Sequence, residues 1–497
     1  MRDKRLGILF LASVILAFLA GYFASDLFPF LPYGSGDEIF DYISETFDNY
    51  YYHTLDDDDL EDAQIAQIEA IIRTFAEANN DPYTRLDSFP LNVTPSSDES
   101  FVGIGITYIF EGLDMRVISV HKNSAADGNL YPGDLVIGVN DGTQTTLFDT
   151  LDDENDIFRL LSGSEGDDKT LVVRDADGET RDVTLTYSVI QTPTAYTLDL
   201  GLDDIAYIRI TSFSAYQEDV TPGTAKVFSD ILTELETDIL LSDSGNKTLL
   251  IDLRDNPGGA LSALHNEGRD GMLPGIVQQL MKDDIETSLF SMIPRSDDPR
   301  VFYGGLRDPK PYDIALLVNG NSASAAEVLA AVMSSYGNYP VYGSQTYGKN
   351  VYQNSVRLAD IGDMRYVLVY TEGIWTYGDG LSVDTDPIPV IDVNQSGILA
   401  LDLPVYMGEV ALDGVSLSLS PFQAYLNDAL SLSIRTDGYF DQATQDAFVQ
   451  FQAMVGIEET GILDIATARA IHDHYMARVT DPLEDIQLQD VLGLLGQ

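Results

Sequence analysis

A serine, a lysine and a glutamine stand within one short stretch of this chain, residues 313–353. Asp313–Leu329 reads DIALLVNGNSASAAEVL. The pattern predicts an apolar strand ending at Asn319–Asn321 and a helix beginning within Ser322-Ala323-Ser324. A hydroxyl at such a junction lies beside unpaired backbone N–H groups and the positive end of the helix dipole. That is a place for a nucleophile whose product is an oxyanion. The same residues have a plainer reading, because Ser324-Ala325-Ala326-Glu327 is also the S-x-x-E of a capping box. Lys349 follows a Thr-Tyr-Gly turn 25 residues after Ser324. A lysine serves as a general base only when burial lowers its pKa toward neutrality. Tyr347, Val351 and Tyr352 are neighbours able to supply that burial. Gln353 lies four residues beyond Lys349. In a helical turn the two share a face. In an extended strand they stand roughly 13 Å apart, so pairing them predicts a turn over 349–353.

Other chemistries are thin. The chain has 497 residues and no cysteine, which excludes disulfides, thiolate metal sites and a cysteine nucleophile. Its five histidines are His53, His121, His265, His472 and His474. None sits beside a glycine-rich nucleophile turn, and no H-E-x-x-H occurs. His472 and His474 are two apart and face different sides of a helix. No metal and no cofactor is expected. Lys and Arg number 27 against 80 Asp and Glu, a net charge of −53. That field repels phosphate backbones, so no nucleic acid is expected as a partner. The charge itself reads as solvated acidic surface or as adaptation to a salty or alkaline medium, where repulsion is screened.

The elements that must position these residues are legible in outline. Arg2, Lys4 and Arg5 precede Leu6–Ala24, 19 residues without a charge. As a helix that run is roughly 28 Å long, about the thickness of a bilayer core. Basic residues before it and acidic residues after it place the N-terminus inside and the rest outside. An uncleaved anchor is expected; a cleaved signal peptide is the rival reading, although Tyr22 at its −3 position is not small. Phe28–Gly36 is a Pro/Gly-rich linker. Helical spacing follows at Ile39–Phe47 and Ile65–Phe75, with the acidic run Asp56–Asp59 expected as a solvated helix start. Residues 99–190 alternate strands with Gly/Asp turns. Residues 191–405 alternate strands (Ile205–Ile210, Thr248–Leu253, Asp313–Val318, Tyr366–Tyr370) with helices (Thr224–Glu236, Ala323–Ser335), as α/β layers do. Residues 420–476 read as a small helical unit. Pro482–Leu495 has helical spacing and is expected to dock back on the core.

Together these segments resemble the carboxy-terminal processing (tail-specific) serine peptidases. The family signature is close to N-x-x-S-A-S-A-S-E followed by G-x-x-T-[FY]-G-K-G-x-x-Q. Here it stands as Asn319-Gly320-Asn321-Ser322-Ala323-Ser324-Ala325-Ala326-Glu327, then Gly343-Ser344-Gln345-Thr346-Tyr347-Gly348-Lys349-Asn350-Val351-Tyr352-Gln353. The resemblance assigns the nucleophile to Ser324, the base to Lys349 and the base-orienting amide to Gln353. Ala326 replaces a serine, Asn350 a glycine, and Ser335 stands where some members carry Asp. Asp252-Leu253-Arg254-Asp255-Asn256-Pro257-Gly258-Gly259 looks like the family's D-L-R-x-N-P-G-G turn. The resemblance implies an oxyanion hole from Gly258 or Gly259 with the N–H of Ala325. Tyr207–Phe213, Asp81-Pro82-Tyr83-Thr84-Arg85 and a late strand ending at Pro387–Ile391 match further family segments. The likeness spans roughly residues 37–395.

Two accessory modules are implied in the same way. Phe101-Val102-Gly103-Ile104-Gly105-Ile106, with the later Asn123–Asp134 segment, resembles a PDZ domain, whose loop at Val102, Gly103, Ile104 and Gly105 would hold a peptide C-terminus. Asp437–Thr444, Phe448, Phe451, Gln452 and Thr460–Asp464 resemble a peptidoglycan-binding three-helix domain. Phe448 and Phe451 are expected as core rather than ligand contacts.

The expected fold is a multidomain α/β (α+β) chain. It comprises an N-terminal transmembrane anchor (1–30), a helical region (31–95), a PDZ β-sandwich or barrel (96–190) and a Ser–Lys protease core (191–405). A three-helix domain (415–480) and a C-terminal helix (481–497) follow. The expected function is a membrane-anchored, extracytoplasmic serine endopeptidase that cleaves proteins recruited by accessible C-terminal tails. Peptidoglycan is a candidate partner, and a homo-oligomer is left open. The alternative is a catalytically silent PDZ and wall-binding scaffold.

Overall fold

A computed structural model describes residues 57–496 except 92–99, 122–123, 152–153, 176, 219–220, 243–245, 267–272, 285 and 363. The expected membrane helix, the linker and the Ile39–Phe47 spacing lie outside these residues. Among the described residues no helix is long and apolar enough to cross a membrane. The chain forms two compact units divided after Arg85. The first carries helix α1 (Asp57–Ala78), which begins inside the acidic run. The Asp81 carboxylate then closes the DPYTR turn, accepting from the Tyr83 N–H at 2.9 Å and the Thr84 hydroxyl at 2.6 Å.

Strand β1 (Arg85–Pro90) starts at the division, and β2 (Ser100–Gly103) follows it. A β-rich module follows: β3 (Ile106–Glu111), β4 (Asp114–Val120), β5 (Leu135–Asn140), β6 (Thr145–Leu147), helix α2 (Glu154–Leu161), β7 (Asp168–Arg174), β8 (Thr180–Thr186) and β9 (Ser188–Gln191). Its main sheet runs β3-β4-β5-β7-β8 with β6 beside β5, while β2 pairs with β9. Alternating residues such as Val117, Leu171, Val173 and Leu185 fill its core.

The central layer is mostly parallel. It is built from β10 (Ala195–Tyr196), β11 (Ile205–Ile210), β12 (Thr248–Asp252), β15 (Asp313–Val318), β16 (Val341–Gly343) and β19 (Ile391–Asp392), in that order. Helix α3 (Thr224–Leu235) and helix α5 (Ala325–Gly337) cover one face; a short helix α4 (Ile276–Leu280) lies between them in sequence. Ala325–Met333 are all fully buried, which explains the small, apolar run AAEVLAAVM. A second, antiparallel sheet contributes Phe290, Tyr352, Trp375 and Tyr377 to the same core. Its strands are β13 (Phe290–Pro294), β14 (Arg300–Phe302), β17 (Val351–Ile361) and β18 (Met364–Tyr377), with β1 at one edge. The expected late strand is cut to Ile391–Asp392. Pro387 and Pro389 have no N–H to give to a ladder.

Helices α6 (Leu419–Leu430), α7 (Gln442–Val455) and α8 (Ile465–Val479) make the small helical module. Phe448 and Phe451 are fully buried in its core. The module also packs on the β-rich one: the Arg469 guanidinium lies 4.5 Å over the Tyr131 ring, and the Tyr406 hydroxyl donates to Asp177 at 2.7 Å. Helix α9 (Ile486–Leu495) covers the other face of the parallel sheet, where Leu488 and Val491 meet Ile205, Tyr207, Leu250 and Leu317.

One buried ion cluster ties α9 to the core. Arg254 reaches Asp252 and Asp485, each at 2.6 Å, and donates to Gln487 at 3.0 Å. Burial alone would raise the Asp252 carboxyl, but Arg254 and Arg209 outweigh it and hold it below the usual range. Arg254→Met strips Asp485 of its buried ion pair and leaves Asp252 only the more distant Arg209, and a loss of about 3–5 kcal/mol is expected in urea unfolding. The native stabilisation is fully present above about pH 4 and fades as pH falls through the lowered value of Asp252. That acid limb should be shallower in the variant, where only Arg209 remains beside Asp252.

Candidate active site

The segment Asn319–Ser324 is held by the turn after β12. Asn319 and Asn321 both donate to the Asp255 carboxylate, at 2.8 and 3.0 Å. The Ala323 N–H donates to the Asn256 carbonyl at 2.9 Å. The two serines then separate by role. Ser322 is fully buried, and its hydroxyl donates to the Leu253 carbonyl at 2.8 Å. Ser324 is partly exposed and takes φ 55°, ψ −116°. An ordinary N-cap residue is extended. For a residue with a Cβ, the observed conformation costs on the order of 1–3 kcal/mol and persists only where its surroundings enforce it.

Glu327 does much of that enforcing. Its carboxylate is fully buried, one turn into α5. One oxygen accepts the Ser324 N–H at 2.8 Å and the Lys349 N–H at 2.9 Å. The other accepts the Gly348 N–H at 2.6 Å. Burial pushes this carboxyl above its usual range, and these donors with Thr346 only partly offset that. The capping-box reading was therefore half of the story. Glu327 does return to the Ser324 N–H, and it also clamps the segment that carries Lys349. The charged residue alone inside AAEVLAAVM was the available signal.

Lys349 donates from Nζ to the Gln353 Oε1 at 2.7 Å. The turn expected over 349–353 is not there, because β17 begins at Val351. A bulge between Tyr352 and Gln353 and the long lysine stem close the gap instead. Gln353 is anchored by donating to the Thr371 hydroxyl at 3.4 Å, and the Trp375 indole N–H holds the Lys349 carbonyl at 2.9 Å. Gly348 needs its φ of +90°, whereas Asn350 does not adopt a positive φ. The glycine-to-asparagine departure at 350 thus demands no unusual backbone, and Asn350 donates to the Ser382 hydroxyl at 3.2 Å. Ser335 lies exposed near the end of α5.

Gly258 has φ +103°, and a Cβ there would fall 2.8 Å from the Ser324 Cβ and 3.0 Å from the Ala325 nitrogen. The glycine turn is therefore pressed directly against the serine. The two glycines differ in what their N–H groups do. That of Gly258 donates to the Asn256 Oδ1 at 2.8 Å. Gly259 is exposed, and its N–H and that of Ala325 make no hydrogen bond among the described residues. Ser324, Ala325, Gly258 and Gly259 are thus one cluster, joined to Lys349 and Gln353 through Glu327. Val102–Gly105 stand apart at β2 and the loop before β3, where a Cβ on Gly105 would meet the Ser124 Cβ at 2.2 Å.

Residues 204–388 match the family model for Peptidase family S41, and residues 419–471 that for a putative peptidoglycan binding domain. Carboxy-terminal processing protease CtpB of Bacillus subtilis (strain 168) is 25% identical over 440 residues, covering 86% of this chain and 84% of the relative. CtpA of the same organism is 24% identical over 473 residues, covering 93% and 91%. The solved photosystem II D1 C-terminal processing protease overlaps 71% of this chain and 86% of its own at 20% identity, with a TM-score of 0.39. The segment 204–388 is thus similar to the S41 peptidases, and both Bacillus subtilis relatives are named carboxy-terminal processing proteases. The chain is a serine-type peptidase.

Glu327→Gln keeps the shape but exchanges one acceptor oxygen for a donor. At least one buried N–H then loses its partner, so thermal unfolding should report a loss of about 1–3 kcal/mol.

Proposed function

We propose that this chain is a membrane-anchored, extracytoplasmic endopeptidase that uses Ser324, Lys349 and Gln353 to cut proteins captured by their C-terminal tails. The observation that carries the reading is the shared Glu327 oxygen, which fixes the Ser324 and Lys349 amides against each other. A neutral lysine has one lone pair and two N–H bonds. Giving one N–H to Gln353 aims the lone pair. Lys349 takes the Ser324 proton, Ser324 Oγ attacks the scissile carbonyl, and the developing oxyanion meets the N–H groups of Ala325 and Gly259. Lys349 passes the proton to the leaving amine. It then takes a proton from the water that releases the acyl group and returns Ser324 to its resting form.

The β-rich module acts as the tail receptor, a PDZ domain in this reading. Strand β3 pairs only with β4 among the described residues, so its outer edge is open to a further strand. Helix α2 flanks it through the Phe110–Phe158 ring contact at 6.0 Å. A tail adds to β3, and N–H groups of the Gly103–Gly105 loop hold its carboxylate. The charge-free run over 6–24 anchors the chain, and the helical module over 419–471 binds cell wall.

Ser324→Ala and Lys349→Ala should each lower cleavage of an unstructured protein with an apolar C-terminus by about 10³-fold or more, with folding retained. Cutting by either variant at the native rate refutes the mechanism. Gly105→Val forces its side chain into Ser124. It should raise KM for tailed substrates and leave cleavage of a tail-less peptide unchanged.

A further inference from the structure

We propose that Asp485 and Arg478 are positioning residues for peptide cleavage, and that the line of ion pairs through them puts the oxyanion turn under the control of the helical module. The proposal rests on Ser324 as nucleophile and on the Gly259 N–H as an oxyanion donor. Arg254 stands in that turn between two anchors of the serine segment. The Leu253 carbonyl before it accepts the Ser322 hydroxyl at 2.8 Å, and the Asp255 carboxylate after it accepts from Asn319 and Asn321. The Arg254 guanidinium is buried, and its N–H donors form a fixed fork. Asp252, at the end of β12, takes Nε at 3.0 Å and Nη2 at 2.6 Å. Helix α9 fills the other side: Asp485 accepts from Nη1 at 3.1 Å and Nη2 at 2.6 Å, and Gln487 from Nη1 at 3.0 Å. With Asp485 displaced, buried donors lose their acceptors. The arginine is then drawn toward water, together with the backbone that anchors Ser322 and leads to Gly259.

The same helix start is tied to the helical module. Glu484, the residue before Asp485, accepts from Arg478 at 2.8 Å. Arg478 lies in the last turn of α8 and also pairs with Asp428 of α6 at 2.7 Å. The link from Arg478 to Glu484 has no slack. The Asp481 N–H donates to the Arg478 carbonyl at 3.1 Å. Asp481 in turn accepts the Leu483 N–H on its carboxylate at 2.9 Å and the Glu484 N–H on its carbonyl at 3.0 Å. Asp428, Arg478, Glu484, Asp485 and Arg254 therefore form one continuous path from α6 to the oxyanion turn. A shift of α6 against α8 unseats Glu484, and with it the carboxylate that holds Arg254. Coupling of this kind is a free energy shared between the two ends, and a double-mutant cycle reads it.

The test is steady-state cleavage of a tail-less peptide by the full chain, at a temperature where thermal unfolding shows every variant folded. Asp485→Asn keeps an N-cap acceptor for the Leu488 N–H but turns an amide against the guanidinium. Glu484→Gln and Arg478→Met break the outer pair, and Glu484 is partly exposed, so its change is mild for the fold. Each should lower kcat by at least about tenfold and leave KM within about twofold, because a displaced oxyanion donor acts on the transition state. Combining Arg478→Met with Asp485→Asn should cost no more than Asp485→Asn alone. Tyr406→Phe removes the helical module's hydrogen bond to Asp177 and should leave kcat unchanged. Unchanged kcat in Asp485→Asn and Glu484→Gln, or losses that multiply in the double variant, overturns the relay alone. So does an equal loss in Tyr406→Phe, which assigns the effect to general loosening of the module. Cutting that survives Ser324→Ala removes the nucleophile reading on which the relay rests.

Discussion

A single buried carboxylate, Glu327, sets the geometry between Ser324 and Lys349, the proposed reactive pair. Ser324 stands at the start of α5 and Lys349 just before β17, elements that belong to different layers. Glu327 joins them with hydrogen bonds to three backbone N–H groups from the two segments. Side-chain packing alone would leave the two segments free to slide. Acceptor oxygens in a dry site do not, because each lost bond strands a buried donor. The strained backbone of Ser324 and the positive φ of Gly348 are the local cost of that arrangement.

The rest of the fold supports this point from both sides. A helix made largely of alanine and valine can be buried on every face, so α5 sits between two sheets and brings Ser324 to their common end. The turn after β12 presses its glycines against the serine from below the helix start. That turn begins with Arg254, whose buried ion pairs reach Asp485 at the cap of α9. The last helix of the chain therefore braces the segment that offers the Gly259 N–H. The helical module touches the β-rich one through Arg469 and Tyr131.

Much of this was legible in the residues. The strands Ile205–Ile210 and Asp313–Val318 have the bounds their apolar runs suggest. The docking of the last helix follows from its spacing, and the burial of Phe448 and Phe451 from theirs. What was hidden depends on contacts between distant segments. Glu327 looked like a local cap because its second partner lies 22 residues on. The helical turn expected at 349–353 followed from spacing alone, and a bulge with a flexible side chain achieved the same contact in a strand. The difference between Gly258 and Gly259 was equally hidden: the Asn256 side chain accepts the Gly258 N–H at 2.8 Å, a contact that spacing does not reveal. The first 56 residues, including the expected anchor, lie outside the described structure.

The most direct test of the central claim is covalent labelling. A serine-directed fluorophosphonate should modify the chain once, on the peptide that contains Ser324. Labelling should vanish in Ser324→Ala and Lys349→Ala and slow markedly in Glu327→Gln. A label on another residue, or labelling of Ser324 at the native rate without Lys349, would contradict a serine activated by that lysine.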